Sequence, residues 1–430
     1  MLIDFSFSNY RSFEADQAFS MRREQRYTDA DSSLFSAVAA IYGANASGKS
    51  NFLRAMAVMQ HFVLTSYSSG DAESGIHRDP FRLSEDSGVR PTSFLVECIA
   101  DDRQKYRYWF SCDDTRILNE ELVFYKNLGD HLSSHSSLLF TREESGGIKF
   151  GSAFKGPRAQ VKKTVELRPN ALLLSAAAAA GIESVRPIFR FFANDMAYCE
   201  ASAFQAEDPR VFDEYRRGSR FSQSLTKLIR YADFGIADVQ SVPADMPQEL
   251  MELLAKQVKN KLGKDMRIND PEKLQFTHIG RNISAKFDSG NESRGTLAAM
   301  SFFSLALRQL SRESVTLIDE IDTSLHPTLV KEFIELYTDP MTNPHRAQLI
   351  VTTHDVSLIN HPGQASPLDP DQIWLVEKDH DGASELFPVT DLGIRKGENI
   401  GKNYLNGVYG ANPKPSFHAA FAQMISEGEA

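Results

Sequence analysis

AAIYGANASGKSNFLRAM, residues 39–56, runs from small and apolar side chains into a turn bounded by Gly43 and Gly48, then closes on Lys49 and Ser50. Ala37 to Tyr42 reads as a buried strand feeding Gly43, and Phe52, Leu53, Met56, Met59, Phe62 and Val63 recur at helical spacing between Asn51 and Leu64. The glycine turn therefore sits between a strand and a helix, the setting a phosphate loop requires. Gly43, Gly48, Lys49 and Ser50 satisfy GxxxxGK[ST], in which the glycines let successive backbone N–H groups face one concavity and the helix N-terminus adds its positive end. The expected nucleotide-binding set is Gly43, Asn45, Ala46, Ser47, Gly48, Lys49, Ser50 and Asn51, with Lys49 on the β and γ phosphates and Ser50 on a magnesium ion.

Two further segments fit that chemistry. SVTLIDEID, residues 314–322, places Asp319 and Glu320 at the carboxyl end of an apolar strand. There Asp319 is suited to the metal, and Glu320 to orienting an attacking water. His354 follows IVTT at the end of another apolar run, within reach of a γ-phosphate held at a neighbouring strand end.

The bulk properties narrow the setting. A formal charge of −10 repels phosphate on average, so any nucleic-acid contact has to come from a local basic surface. The candidates are Lys155, Arg158, Lys162 and Lys163 in one stretch and Arg216, Arg217 and Arg220 in another. The longest apolar run, Ala171 to Ile182, is too short to cross a bilayer, and the N-terminus lacks the order of a secretory signal, so the expected compartment is the cytoplasm. Cys98, Cys112 and Cys199 form no CxxC spacing and read as buried thiols.

Along the chain, Leu2, Phe5 and Phe7, then Phe13 and Phe19, mark a strand pair that belongs with the phosphate loop in residues 1–65. Residues 66–165 read as an antiparallel β lobe around SFLVECIA and KYRYWFSC. Residues 166–275 read as a helical insertion, interrupted near Pro243 and Pro247. Residues 276–430 return to strand, turn and helix, with SVTLIDE, LIVTTHD and IWLVEK as buried strands. No heptad pattern is long enough for coiled-coil arms.

GANASGKS at 43–50, NESRGT at 291–296, LIDEIDTSLHP at 317–327 and TTHD at 352–355, in that order, resemble the ATP-binding-cassette-type ATPases, in the soluble branch with RecF-like, SMC-like and OLD-like members. With NYRSF at 9–13 and NYLNGVYGANP near the C-terminus, the chain looks like the AAA15/AAA21 ATPases found in bacterial antiphage and abortive-infection operons. The resemblance implies a P-loop ABC-type ATPase head of the α/β class, with a mixed-sheet core, the antiparallel β lobe and the helical insertion. It implies ATP and Mg2+ at a composite site in a homodimer or higher even homo-oligomer. Ser293 and Gly295 would then contact the nucleotide of the opposite subunit, Asp322 would communicate across the dimer, Arg11 would approach the nucleotide, and His354 would be the switch histidine. The signature reads ESRGT where transporters carry LSGGQ, and no glutamine-loop residue is assignable.

The expected function is ATP hydrolysis in an antiphage defence system, with ATP-dependent dimerisation controlling a separate effector, a TOPRIM-like or RloB-like nuclease. A separate effector is expected because only 76 residues follow His354, and they hold no ordered nuclease carboxylates. The alternative is a RecF-like DNA-repair or DNA-end-binding ATPase acting directly on nucleic acid. A transporter subunit fits poorly, and no membrane partner is expected.

Overall fold

Strands buried on both faces and strands buried on one face build different sheets in this chain. The computed structural model describes residues 1–24, 34–69, 71–129, 132–200, 209–232, 234–244, 272–323, 325–360, 366–395, 398–413 and 416–427. They divide into two units, one of Met1–Cys199, Arg312–Ile321 and Ile334–Ala430, the other of Glu200–Ser311 and Asp322–Phe333. In chain order the strands are β1 (Leu2–Ser8), β2 (Gln17–Ser20), β3 (Val38–Gly43), β4 (Thr92–Ile99), β5 (Lys105–Cys112), β6 (Ile117–Asn127), β7 (Leu132–Arg142), β8 (Ile148–Phe150), β9 (Met196–Glu200), β10 (Ile236–Pro243), β11 (Glu272–Ile279), β12 (Ser284–Asp288), β13 (Val315–Asp319), β14 (Gln348–Thr352), β15 (Ile373–Lys378) and β16 (Ser384–Pro388).

In the first unit, β3, β13 and β14 are buried at every position, as their near-continuous apolar sequences require of parallel strands covered on both faces. They belong to a mixed six-stranded sheet of order β16-β15-β3-β14-β13-β9, in which β13, β14, β3 and β15 are parallel and β16 closes one edge antiparallel. The second sheet, β2-β1-β4-β5-β6-β7-β8, is antiparallel throughout, and its strand β4 alternates buried and half-exposed positions.

The helix α1 (Lys49–Thr65) joins the two sheets in one core. Its buried face carries Phe52, Leu53, Met56, Met59 and Val63, each contributing on the order of 2 kcal/mol by leaving water. Phe52 packs its ring against Phe5 and Phe19 at 6.3 and 5.0 Å. A buried carboxylate fastens the lobe to the helix Leu173–Ala179. Glu120 on β6 accepts from Tyr108 Oη (2.8 Å) and from the first amides of that helix, Leu173 (2.7 Å) and Leu174 (2.9 Å). Two otherwise orphaned helix N–H groups are thereby satisfied.

The second unit is a three-stranded antiparallel meander, β10-β11-β12, carrying the helices Pro209–Arg216, Arg220–Tyr231 and Arg294–Gln309. Its core gathers Tyr215, Leu225, Ile229, Phe276 and Met300.

The structure departs from the expected boundaries in two places. β1 and β2 belong to the same sheet as the lobe strands, because β1 pairs with β4 across a separation that local periodicity does not report. The stretch 166–275 also contains strands, β9, β10 and the start of β11; β10 finds its partner only in β11. The expected helix MELLAKQVKNKL at 251–262 and Pro247 lie outside the described residues. Cys98 and Cys112 are buried, whereas Cys199 is half-buried. Among the described residues, no helix is long and apolar enough to cross a membrane.

Candidate nucleotide site

Because β15, β3, β14 and β13 run parallel, their carboxyl ends share one edge of the sheet, where open α/β sheets place ligands. Gly43, Lys378, Thr352 and Asp319 end these strands.

The turn from Gly43 to Gly48 has the geometry of a phosphate cradle. A Cβ at Gly43 would lie 2.4 Å from the Val376 carbonyl oxygen; one at Gly48, where φ is 119°, would lie 2.7 Å from Ser384 Oγ and 2.9 Å from Ser12 Oγ. Only glycine meets both conditions. Asn45 and Ala46 form the exposed tip, with Ala46 at φ 61°. The Lys49 ammonium folds over the turn, donating to the carbonyls of Gly43 (2.9 Å) and Ala44 (3.0 Å). Ser47 Oγ is buried with no hydrogen-bond partner among the described residues, an orphan that a phosphate oxygen would satisfy.

Beside the cradle, Ser50 Oγ donates to Asp319 Oδ1 at 3.0 Å, and Thr352 Oγ1 donates to the same oxygen at 2.6 Å. Thr352 Oγ1 in turn accepts from the Glu320 amide at 2.7 Å. That bond holds Glu320 at φ 56°, an uncommon conformation for a residue with a Cβ, and its side chain is exposed at the strand end. A serine hydroxyl against a buried aspartate at the foot of a phosphate cradle fits Mg2+, whose ligands are oxygens, and the residues present therefore fit a metal–nucleotide complex. His354 is exposed two residues beyond β14. The loop around it is fixed through Tyr42, whose hydroxyl donates to the Asp355 carbonyl at 3.0 Å.

The NYRSF turn flanks the cradle. Asn9 and Arg11 take left-handed backbone, Ser12 Oγ accepts from Asn51 Nδ2 at 2.9 Å, and Ser12 O accepts from the Ser384 amide at 2.7 Å. Arg11 pairs with Asp79 at 3.0 Å and reaches Asn51 Oδ1 at 3.5 Å. The NYLNGVYGANP segment lies behind the cradle. The Tyr404 ring packs on Tyr42 at 5.7 Å, its hydroxyl accepts from the Gly43 amide, and burial pushes its phenol above the usual range.

In the second unit, Ser293 caps the helix Arg294–Gln309, accepting from the Thr296 amide at 3.0 Å, with Gly295 in the first turn. Glu292 beside it meets His278 Nε2 at 2.7 Å. Asp322 lies in this unit too, immediately after Ile321.

Sequence reasoning missed Thr352, Ser12, Ser384 and Tyr404. The repeated threonine of TTHD was a signal for the first; nothing local marks Ser384, which reaches the cradle only through folding.

A glycine-bounded phosphate turn and an aspartate–glutamate strand end on one edge of a mixed parallel sheet define a P-loop nucleotide-binding site. Residues 38–360 match the AAA_21 family, described as AAA domain, putative AbiEii toxin, Type IV TA system, and the chain belongs to that family. Among solved structures it is similar to the recombination mediator protein RecF-ATP of the RecFOR pathway, at 13% identity and TM-score 0.37, over 90% of this chain and 99% of that one. It is also similar to cbiO1 from Clostridium perfringens, part of the ABC transporter complex cbiONQ, at 11% identity and TM-score 0.31, over 92% of each chain. No curated protein matches the chain.

Proposed function

We propose that the protein hydrolyses ATP to ADP and phosphate in an ATP-joined homodimer, and that the joined state controls a separate effector, a nuclease, in bacterial antiphage defence. The observation that carries the hydrolytic part is the shared Asp319 oxygen, which gathers Ser50 and Thr352 and, through Thr352, the Glu320 backbone.

The chain's own groups divide the work. The cradle amides and Lys49 bind the phosphates, Ser50 and Asp319 would hold Mg2+, and Glu320 accepts a proton from the attacking water. Bound Mg2+ supplies charge neutralisation at the phosphate oxygens. His354 would face the γ-phosphate from the neighbouring strand end. Ser293 and Gly295 head a 16-residue helix, and helix N-termini favour anions, in keeping with a contact to the partner subunit's nucleotide. Asp322 is assigned to communication across that dimer.

Two observations favour control of a partner. The family's description names a toxin and a Type IV TA system, a setting in which one component governs another. The helix Phe417–Glu427 buries none of its residues and exposes Phe417, Phe421 and Ile425, apolar surface of the kind that interfaces cover. Direct action on nucleic acid is favoured less, since Arg216 and Arg217 both pair with Asp213, at 2.7 and 2.6 Å. The exposed Lys155 and Lys163, with Lys162 only 3.8 Å from Glu166, are the better basic surface for it.

Co-purification with the products of neighbouring genes, with and without ATP, tests the reading. The expected result is nucleotide-dependent association. A chain that never associates in either condition sinks the effector part, and DNA-stimulated turnover lost on reversing Lys162 and Lys163 replaces it with the nucleic-acid reading.

A further inference from the structure

The glycine that lets the phosphate turn take its shape also leaves it free to change shape. Gly48 sits at φ 119°, a region that glycine enters at little cost, so the peptide joining Ser47 to Gly48 turns over readily unless a neighbour holds it. That peptide is trans and planar, with its carbonyl and its N–H pointing to opposite sides. Whatever fixes the Ser47 carbonyl therefore also sets the direction of the Gly48 N–H.

A hydroxyl from a distant strand does this. Ser384, the first residue of β16, donates from Oγ to the Ser47 carbonyl at 2.5 Å, and both residues are buried, Ser384 at 4% and Ser47 at 3% exposed. We infer that Ser384 is a positioning residue for nucleotide binding. Its hydroxyl holds the Ser47 carbonyl toward β16 and thereby aims the Gly48 N–H to the opposite side, at the phosphates. The inference rests on the reading of this turn as an ATP cradle, and adds to it a residue that touches no nucleotide.

The hydrogen bonds around the turn fit that division. The Gly48 N–H has no partner among the described residues, whereas the next carbonyl, Gly48 O, accepts from the Phe52 amide at 3.0 Å as α1 begins. The donor is thus left for a ligand while the flanking carbonyls are engaged. Ser12, whose Oγ also lies beside Gly48, accepts from Asn51 Nδ2 at 2.9 Å and bonds no carbonyl of the turn among the described residues. The task falls to Ser384.

A hydroxyl can aim a peptide only if it is itself immobile, and Ser384 is held from three directions. Its amide donates to Ser12 O at 2.7 Å, which ties it to the NYRSF turn. Two residues on, the Leu386 amide donates to Gln17 Oε1 at 2.8 Å, fastening β16 to β2. The hairpin turn before it is closed by Asp379, whose Oδ1 accepts from the Asp381 and Ala383 amides at 2.9 and 2.8 Å. None of these bonds uses the Ser384 side chain, so an alanine at this position keeps the strand and loses only the hydroxyl.

Calorimetric titration of wild type and Ser384→Ala with ATPγS and with ADP, beside thermal melts of the nucleotide-free chains, tests the assignment. Ser384→Ala should keep the binding stoichiometry and lose about tenfold in affinity for both nucleotides, the lower end of what a hydrogen bond to a charged group is worth. Its melting temperature should fall by no more than about 3 °C. In steady state KM for ATP should rise by the same factor with kcat within about twofold, because the contact is weakened in ground and transition states alike. A merely structural role would instead lower kcat, stoichiometry and melting temperature together. Ser384→Thr keeps the hydroxyl and should bind within about threefold of wild type. The assignment alone is overturned if Ser384→Ala binds like wild type, if its loss comes only with lost stoichiometry and an early melt, or if Ser384→Thr loses as much. A wild-type chain that binds neither nucleotide overturns the cradle reading and this assignment with it.

Discussion

Ser50 and Asp319, 269 residues apart in sequence, meet through a 3.0 Å hydrogen bond at the foot of the phosphate cradle. Thr352 completes the cluster from the neighbouring strand, so one carboxylate oxygen is fixed by two hydroxyls. Replacing Asp319 with Asn keeps the shape but removes the charge a divalent cation needs. ATP turnover should fall about 100-fold or more, with an unchanged melting temperature and a raised Mg2+ requirement. A variant with wild-type Mg2+ dependence removes Asp319 from the metal site.

Thr352→Val is nearly isosteric and cuts both links of that oxygen, one to Asp319 and one to the Glu320 amide. Leaving the amide and carboxylate short of a partner costs about 1–3 kcal/mol, and the left-handed Glu320 backbone loses its tether. Urea denaturation should show the loss in stability, and steady-state kinetics a fall in kcat of about tenfold with KM for ATP little changed.

Lys49→Ala and Glu320→Gln separate binding from chemistry. The first removes the only lysine of the cradle and should abolish nucleotide binding in equilibrium dialysis. The second keeps the side chain's size, retains ATP and traps the dimer in gel filtration, with turnover reduced about 100-fold or more. Equal turnover of Glu320→Gln and wild type excludes Glu320 as the base.

Gly48→Ala tests the cradle itself. The new methyl would meet Ser384 Oγ at 2.7 Å and Ser12 Oγ at 2.9 Å in a backbone conformation with φ of 119°. Strain of about 1–3 kcal/mol falls on the loop, so ATP affinity should drop at least about tenfold while far-UV circular dichroism stays the same.

Glu120 gives a pH signature away from the site. Burial holds its carboxyl above the usual glutamate range, against the opposing effects of the Leu174 and Leu173 amides, Arg142 and Tyr108. A raised folded value means the folded chain binds the proton more tightly than the unfolded chain. Its contribution is therefore complete below the ordinary value of about 4.3 and is lost as pH rises through the folded one. The stability difference between wild type and Glu120→Gln, from urea titrations between about pH 4 and 8, should shift against the wild type as pH rises. A shift in the other direction contradicts a raised carboxyl. Glu120→Ala leaves Tyr108 and two helix amides without their acceptor and should cost about 3–5 kcal/mol at low pH, and less as pH rises.

The residues that were readable in the sequence are those whose chemistry is local. GANASGKS needs only its own glycines, lysine and serine, with a strand before and a helix after, and each of these is set by neighbours a few positions away. The same holds for the apolar runs ending in Asp319 and Thr352, because a strand buried on both faces carries its burial in its composition. Tertiary structure decided the rest. Folding alone sets the hydroxyls of Ser12 and Ser384 against Gly48, places Thr352 on Asp319, and joins β1 to β4 in one sheet. Each of these contacts depends on the closure of chain segments dozens to hundreds of residues long, and no short stretch of side chains carries a record of which distant partner will satisfy it.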